Sequence, residues 1–187
     1  MVLLHTPPGE LGAPAAPFNL PAAVGGTRSL ENYREAKALV VMFLCNHCPY
    51  VQAVEDRIIA LAKEMTPLGA AFVAISPNDA VTYPEDSFPN MKQRAQEKGY
   101  PFDYLFDASQ QTAKAYGAVC TPDFFLFDAE RKLRYRGRLD DSPRNPTAVR
   151  RQDLKEAIQE ILSGRTPSVQ QAPCMGCSIK WRGADRG

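Results

Sequence analysis

Hydrophobic and polar positions follow two different periods between residues 38 and 65. Residues 38–44 form an unbroken apolar run, ALVVMFL, which is too short for a helix of its own and rich in strand formers, so it predicts a buried strand. Further on, apolar residues recur at positions 51, 54, 58, 61, 62 and 65. This i, i+3, i+4 spacing predicts a half-buried helix. A strand therefore runs into a helix through residues 45–49.

The same two patterns alternate along the rest of the chain. Further strands are predicted at 70–75, 102–106, 123–127 and 132–138, and further helices at 88–98, 109–116 and 149–162. A hairpin is expected around Gly25-Gly26. Strand, helix and strand joined by short connections imply a parallel pair with a right-handed crossover. The order predicts one α/β domain over 1–187, with an irregular N-terminus at 1–12 and a C-terminal tail at 165–187 of little periodicity.

Two cysteines lie where the predicted strand meets the predicted helix, in the sequence Cys45-Asn46-His47-Cys48-Pro49. The first turn of a helix has free backbone N–H groups and a positive dipole end, which favour a thiolate. Cysteines three residues apart in that turn can close a small disulfide, and Pro49 suits an early helical position. The pattern favours a redox-active dithiol over inert buried thiols or a metal site.

Composition limits the partners and the compartment. The net charge is +1 and no long basic block or membrane-length apolar run occurs, so we expect neither a nucleic-acid nor a membrane partner. No signal peptide is recognisable, which predicts a cytoplasmic protein with reduced thiols. The odd number of cysteines, five, fits a redox or metal role better than a framework of structural disulfides.

Several segments together resemble the thioredoxin superfamily, in its peroxiredoxin-like (AhpC/TSA, TlpA-like) branch. They are FLCNHCPYV, YGAVCTP, CTPDFFLFD, YRGRLDD and GCSIKW. The resemblance implies a thioredoxin-like fold, with a central mixed sheet flanked by helices, an N-terminal hairpin and an inserted βα segment near 78–107. It also implies a thiol–disulfide oxidoreductase with no cofactor beyond its Cys45–Cys48 disulfide. Its partners would be protein or small-molecule disulfides and an unidentified thiol reductant.

Within that reaction, Cys45 is predicted as the nucleophile and Cys48 as the resolving thiol. A protonated His47 between them would favour a Cys45 thiolate, so we expect a Cys45 pKa below that of free cysteine. His47 as a solvated surface residue is the alternative. Thioredoxins usually carry a buried acid on the strand before the motif, whereas residues 38–44 contain none.

Pro122 resembles the cis-proline that faces the CxxC in this superfamily, where the preceding backbone pairs with substrate. Thr121 and Cys120 are therefore candidate substrate-binding residues. Cys120 is equally explained as a third redox thiol or as a small packed side chain.

Cys174 and Cys177 form a second CxxC near the C-terminus. Three interpretations remain open for this pair: a redox relay dithiol, half of a zinc site shared with Cys45 and Cys48, or thiols without a role.

Two other functions compete with the oxidoreductase. A thiol peroxidase of this branch carries the pattern PxxxTxxC, and placing Cys48 as its reacting cysteine puts Val41 and Cys45 at the proline and threonine positions, so both key residues of the pattern are missing. A copper or zinc carrier would need further ligands, and the only histidines are His5 and His47. We therefore expect no bound metal.

Overall fold

The structure, a computed structural model, describes residues 2–168 and 170–183. The strands are β1 (Leu3–His5), β2 (Asn19–Pro21), β3 (Thr27–Ser29), β4 (Ala38–Phe43), β5 (Ala70–Ser76), β6 (Asp103–Phe106), β7 (Cys120–Thr121), β8 (Asp123–Asp128), β9 (Leu133–Gly137) and β10 (Met175–Ser178). The helices are α1 (Pro49–Met65), α2 (Phe88–Lys98), α3 (Gln111–Ala115) and α4 (Asp153–Leu162).

The central sheet has five strands in the order β6-β5-β4-β8-β9. Strand β4 is parallel to β5 and antiparallel to β8, so the sheet is mixed, as predicted. Every residue of β4 is buried, which explains why its sequence is continuously apolar instead of alternating. The predicted α/β class is confirmed.

Side chains of β4 alternate between two hydrophobic clusters. Val40 and Met42 pack in the cluster that contains α1, and Val41 packs in the cluster on the opposite side of the sheet. Each fully buried side chain of this size contributes about 2 kcal/mol to folding. The rigid strand thus fixes the position of the residues that follow it, where the two cysteines lie.

Both chain ends contain a strand that the sequence analysis did not predict: the N-terminus was expected to be irregular, and 165–187 to be a tail of little periodicity. Strand β10 lies between β1 and β7 in a second, antiparallel sheet, with Cys177 opposite Thr121. The irregular N-terminus and tail predicted for 1–12 and 165–187 are therefore corrected at β1 and β10. These strands are only three and four residues long, too short to show a period, and their partners are distant in sequence. Residues 1, 169 and 184–187 of those segments lie outside the described part.

Helix α4 begins at Asp153 rather than at residue 149. The Asp141 carboxylate accepts hydrogen bonds from the backbone N–H groups of Arg150 and Arg151, which holds that segment outside the helix. Within the described part of the chain, no helix is both long and apolar enough to cross a membrane.

Candidate functional site

The CxxC segment lies at the turn between β4 and α1, as the sequence predicted. Cys48 is the N-cap residue of α1, and Pro49 occupies the first helical position, where its missing N–H costs nothing. The turn places the Cys45 and Cys48 thiols beside each other, close enough for each to shift the pKa of the other. Both are almost fully buried, with 2% and 0% of their surface exposed, so a substrate reaches either sulfur only after some local opening.

Thr121 lies against both sulfurs of the motif. Its hydroxyl oxygen is 3.2 Å from Cys45 Sγ, and its carbonyl oxygen is 3.2 Å from Cys48 Sγ. The Thr121–Pro122 bond is cis, as predicted. Thr121 can therefore donate a hydrogen bond to Cys45 and accept one from Cys48.

The groups around Cys48 favour a thiolate on its sulfur. The Cys45 and Cys177 thiols and the backbone N–H groups of Val51 and Cys177 lower the pKa of Cys48 to about 5 against the opposing effect of burial. The Thr121 carbonyl oxygen, 3.2 Å from the same sulfur, favours the protonated thiol. We therefore place the negative charge of the reduced pair on Cys48.

The expected low pKa of Cys45 is wrong. Its hydrogen bond to Cys48, its burial and the negative charge of Asp86 all raise the pKa of the Cys45 thiol, and only the Thr121 hydroxyl opposes them. The sequence contained a signal for this outcome, because a proline at the first helical position makes the preceding residue, Cys48, the N-cap. The helix end thus favours charge on Cys48, not on Cys45.

Asp86 is the acidic residue of this site that the sequence pattern did not reveal. It is fully buried, and its Oδ1 accepts hydrogen bonds from the backbone N–H groups of Asn46 (2.7 Å) and His47 (3.2 Å). Its Oδ2 is 2.6 Å from His47 Nδ1 and accepts a hydrogen bond from Asn78. The buried acid beside the motif therefore comes from the segment before α2 and not from β4, a contact that no local pattern predicts.

His47 is an ion-pair partner of Asp86 rather than a solvated side chain. Its hydrogen bond to Asp86 raises the pKa of His47. Burial alone would raise the pKa of Asp86, but hydrogen bonds from His47 and Asn78 hold it below its usual range. The His47 ring also stacks on the Tyr83 ring, with 5.3 Å between ring centres. The Lys180 ammonium group lies over the Tyr83 ring.

Cys120 is buried next to a second buried carboxylate. Asp123 pairs with Arg136 at 2.8 Å, and burial raises the pKa of Asp123 to about 6 despite that pairing. Burial, followed by the charge of Asp123, raises the pKa of Cys120 well above its ordinary value. Its sulfur lies 3.8 Å from the Pro122 carbonyl oxygen.

The two tail cysteines occupy different environments. Cys177, on β10, has its thiol against Cys48. Cys174 precedes β10, and its backbone N–H donates to the Thr6 hydroxyl. Burial, followed by the charge of Asp123, raises the pKa of Cys174. Strand β1, which carries His5, holds this segment in place.

One side-chain group among the described residues has the spacing of a metal site: Cys45, His47 and Asp86, whose ligand atoms lie within 4.8 Å of one another. Each Asp86 oxygen already accepts two hydrogen bonds, so a metal would have to displace some of them. In the part of the chain that is described, the four cysteines of the two CxxC motifs do not form such a group.

Comparisons with known proteins agree with this architecture. The AhpC/TSA family matches residues 11–136, more than half of the chain. An uncharacterized conserved protein from Geobacillus kaustophilus has 45% identity and a TM-score of 0.94, with 99% of each chain covered. A hypothetical protein from Sinorhizobium meliloti 1021 has 41% identity and a TM-score of 0.92, covering 96% of this chain and 99% of the other. No curated protein matches the chain.

More distant structures share the fold. Peroxidoxin BcpB from Mycobacterium tuberculosis has 22% identity and a TM-score of 0.57, covering 67% of this chain and 83% of the other. Its likeness to the central sheet and helices confirms the thioredoxin-like fold. From the family match and this fold we conclude that the chain belongs to the AhpC/TSA family, in the peroxiredoxin-like branch of the thioredoxin superfamily.

Proposed function

We propose that the protein is a thiol–disulfide oxidoreductase that cycles Cys45 and Cys48 between a dithiol and a disulfide. The observation that carries this proposal is the position of Thr121, which lies 3.2 Å from both the Cys45 and the Cys48 sulfur where β4 turns into α1. No cofactor is needed, because the dithiol itself carries the two electrons that reduce a disulfide.

Cys48 is the nucleophile in this scheme, and Cys45 is the resolving thiol. The thiolate is the attacking form, and the helix end supports it on Cys48. The Cys48 thiolate attacks a substrate disulfide and releases one substrate thiolate. Cys45 then attacks Cys48 Sγ, which forms the Cys45–Cys48 disulfide and releases the second substrate thiolate. A thiol reductant returns the pair to the dithiol form.

Small disulfides fit this site better than protein disulfides. Strand β10 already pairs with the backbone of Thr121 and covers the edge of β7. A macromolecular strand would have to displace β10, whereas a small disulfide needs a smaller opening. His47, Tyr83 and Lys180 form the polar rim beside the motif.

The test is disulfide exchange by the wild type, Cys48→Ser and the double variant Cys45→Ser/Cys177→Ser, with glutathione disulfide and a protein disulfide as parallel substrates. Cys48→Ser should be inactive. The double variant removes both thiols that lie against Cys48, so it should accumulate a glutathione adduct on Cys48. An adduct on Cys45 in Cys48→Ser, with none on Cys48 in the double variant, would reverse the two roles. Equal exchange by the wild type and by both variants would reject the dithiol mechanism.

Peroxide reduction is a second candidate, favoured by the low pKa of Cys48. Cys48 is the reacting residue when the chain is aligned to PxxxTxxC, and Cys45 then takes the threonine position and donates a hydrogen bond to it. The burial of both sulfurs also favours a small oxidant. Peroxide consumption in the presence of a small thiol checks this candidate, and it should require Cys48.

A further inference from the structure

Cys177 belongs spatially to the first CxxC rather than to its own motif. Cys177 pairs with Thr121 across the sheet, and the Thr121 carbonyl oxygen is 3.2 Å from Cys48 Sγ. The thiol and backbone N–H of Cys177 therefore lie beside the Cys48 sulfur, and both lower the pKa of Cys48. The backbone N–H of Tyr50, in the first turn of α1, points to the Cys177 sulfur. The start of α1 therefore supports two sulfurs, one from its own N-cap and one from β10.

Cys174 cannot serve as the redox partner of Cys177 in this conformation. A strand rises about 3.3 Å per residue, so the Cα atoms of Cys174 and Cys177 are about 10 Å apart along the extended chain. A disulfide requires Cα atoms within about 7 Å. The second CxxC thus has the spacing of a dithiol without the geometry of one.

Gly176 allows β10 to lie close enough for the Cys177 contact. A Cβ atom at position 176 would be 2.2 Å from the Thr121 carbonyl oxygen and 2.6 Å from its carbon, both backbone atoms. Only glycine fits at this position, next to the residue that contacts both Cys45 and Cys48.

We propose that Cys177 is a third exchange thiol of the centre, which takes over the disulfide from Cys45 by forming a Cys48–Cys177 bond. The inference rests on the proposed Cys45–Cys48 disulfide. The Cys177 thiolate attacks Cys48 Sγ, the Cys45–Cys48 bond breaks, and the proton lost by Cys177 is taken up by the departing Cys45 sulfur. One disulfide and one thiol are present before and after, so no external oxidant or reductant is consumed.

The charges around Cys177 favour attack once the Cys48 sulfur has lost its negative charge, either in the Cys45–Cys48 disulfide or in an adduct with an oxidant such as diamide. In the reduced protein, burial and then the hydrogen bond and charge of Cys48 raise the pKa of Cys177 to about 12. A Cys48 sulfur in a disulfide is uncharged, so its contribution disappears. The positive charge of Lys180 and the Tyr50 N–H, which lower the pKa of Cys177, remain. Burial still raises the pKa of Cys177, but oxidation of the first motif removes the part of the rise that Cys48 causes.

The test oxidises the wild type with one equivalent of diamide, blocks free thiols in acid and maps the disulfides after trypsin digestion. Trypsin cuts after Lys37, Arg57, Arg165 and Lys180. Cys45 and Cys48 are then in peptide 38–57, and both tail cysteines are in peptide 166–180. A Cys45–Cys48 disulfide stays within one peptide, whereas a Cys48–Cys177 disulfide links two, and fragmentation identifies the cysteines joined.

We expect both species in the wild type and only the Cys48–Cys177 link in Cys45→Ser. The link should be lost in Cys177→Ser and kept in Cys174→Ser, the matched control from the same tail. Gly176→Ala retains every cysteine and should also lose the link.

Absence of the link from Cys45→Ser, while the wild type forms Cys45–Cys48, would overturn this inference alone. A link through Cys174 would overturn it as well. Failure of Cys177→Ser to form a Cys45–Cys48 disulfide would instead overturn the proposed function.

Discussion

The chain contains the CxxC spacing twice, and the two copies differ in what the backbone does between the cysteines. At 45–48 the chain turns into α1, and the sulfurs meet. Before and within β10 the chain is extended, so Cys174 and Cys177 are directed to different surroundings. The spacing alone therefore does not produce a dithiol. The turn into the helix does.

The two copies also differ in their electrostatic surroundings. The first lies at a helix N-terminus beside Asp86, whose pKa is held low by His47 and Asn78 despite its burial. Cys174, in the second copy, is close to Asp123, whose pKa burial raises to about 6. Backbone donors can support a thiolate at Cys48, whereas burial opposes one at Cys174.

Of the substitutions considered, Asp86→Asn should destabilise the surroundings of the first CxxC most strongly, and it should leave the second CxxC in place. We expect a loss of about 3 kcal/mol in the free energy of unfolding near pH 5, because a buried ion-pair partner is removed. Urea unfolding measures it. Asp79→Asn is the matched control from the same loop, since Asp79 is also buried and hydrogen bonds to Thr82, away from the motif. It should cost about 1 kcal/mol.

The Asp86 effect should also depend on pH. The lowered pKa of Asp86 means that its contribution is present above about pH 4 and is lost as the pH falls through its folded value. The raised pKa of His47 means that its contribution is complete below about pH 6.5 and is lost as the pH rises through its folded value. The difference between wild type and Asp86→Asn should therefore be largest between those limits. A difference independent of pH would remove the ion pair from the account.

Asp123→Asn tests the carboxylate beside the second copy. The contribution of Asp123 to stability falls as the pH rises, whereas that of Asp86 falls as the pH decreases. The folded pKa of Asp123 is raised to about 6, so its contribution is complete below about pH 4 and is lost as the pH rises through 6. A shift of about two units corresponds to about 2–3 kcal/mol over that interval. The free energy of unfolding of the wild type should fall by this amount, relative to that of Asp123→Asn, as the pH rises from 4 to 7. No relative change would mean that Arg136 keeps Asp123 ionised throughout.

Cys174→Ser should have the smallest effect of these substitutions, and its effect is measured on the rate of disulfide exchange. Because Cys174 is not among the groups that lower the pKa of Cys48, we expect the rate of disulfide exchange to change by less than about twofold, which is under 0.5 kcal/mol in activation free energy. The rate with glutathione disulfide checks this expectation against wild type. A loss comparable to that of Cys48→Ser would show that the tail motif acts as a dithiol after all.

Much of the fold could be predicted from the sequence because its elements carry local patterns. The buried β4 run, the amphipathic α1 and the cysteines between them are visible in adjacent residues. The cis bond at Pro122 followed from a family resemblance. Asp86 and β10 were not predictable, because their contacts join residues far apart in sequence. The charge on Cys48 could have been anticipated from Pro49, which marks the preceding residue as the N-cap.

The most direct test of the central claim is the thiolate ultraviolet absorbance of the reduced protein as a function of pH. The wild type should show one transition near pH 5, from Cys48, and no further thiolate until well above neutral pH. Cys48→Ser should lose that transition, whereas Cys45→Ser should retain a thiolate at neutral pH. A transition near pH 5 that persists in Cys48→Ser and disappears in Cys45→Ser would contradict the account and return the thiolate to Cys45.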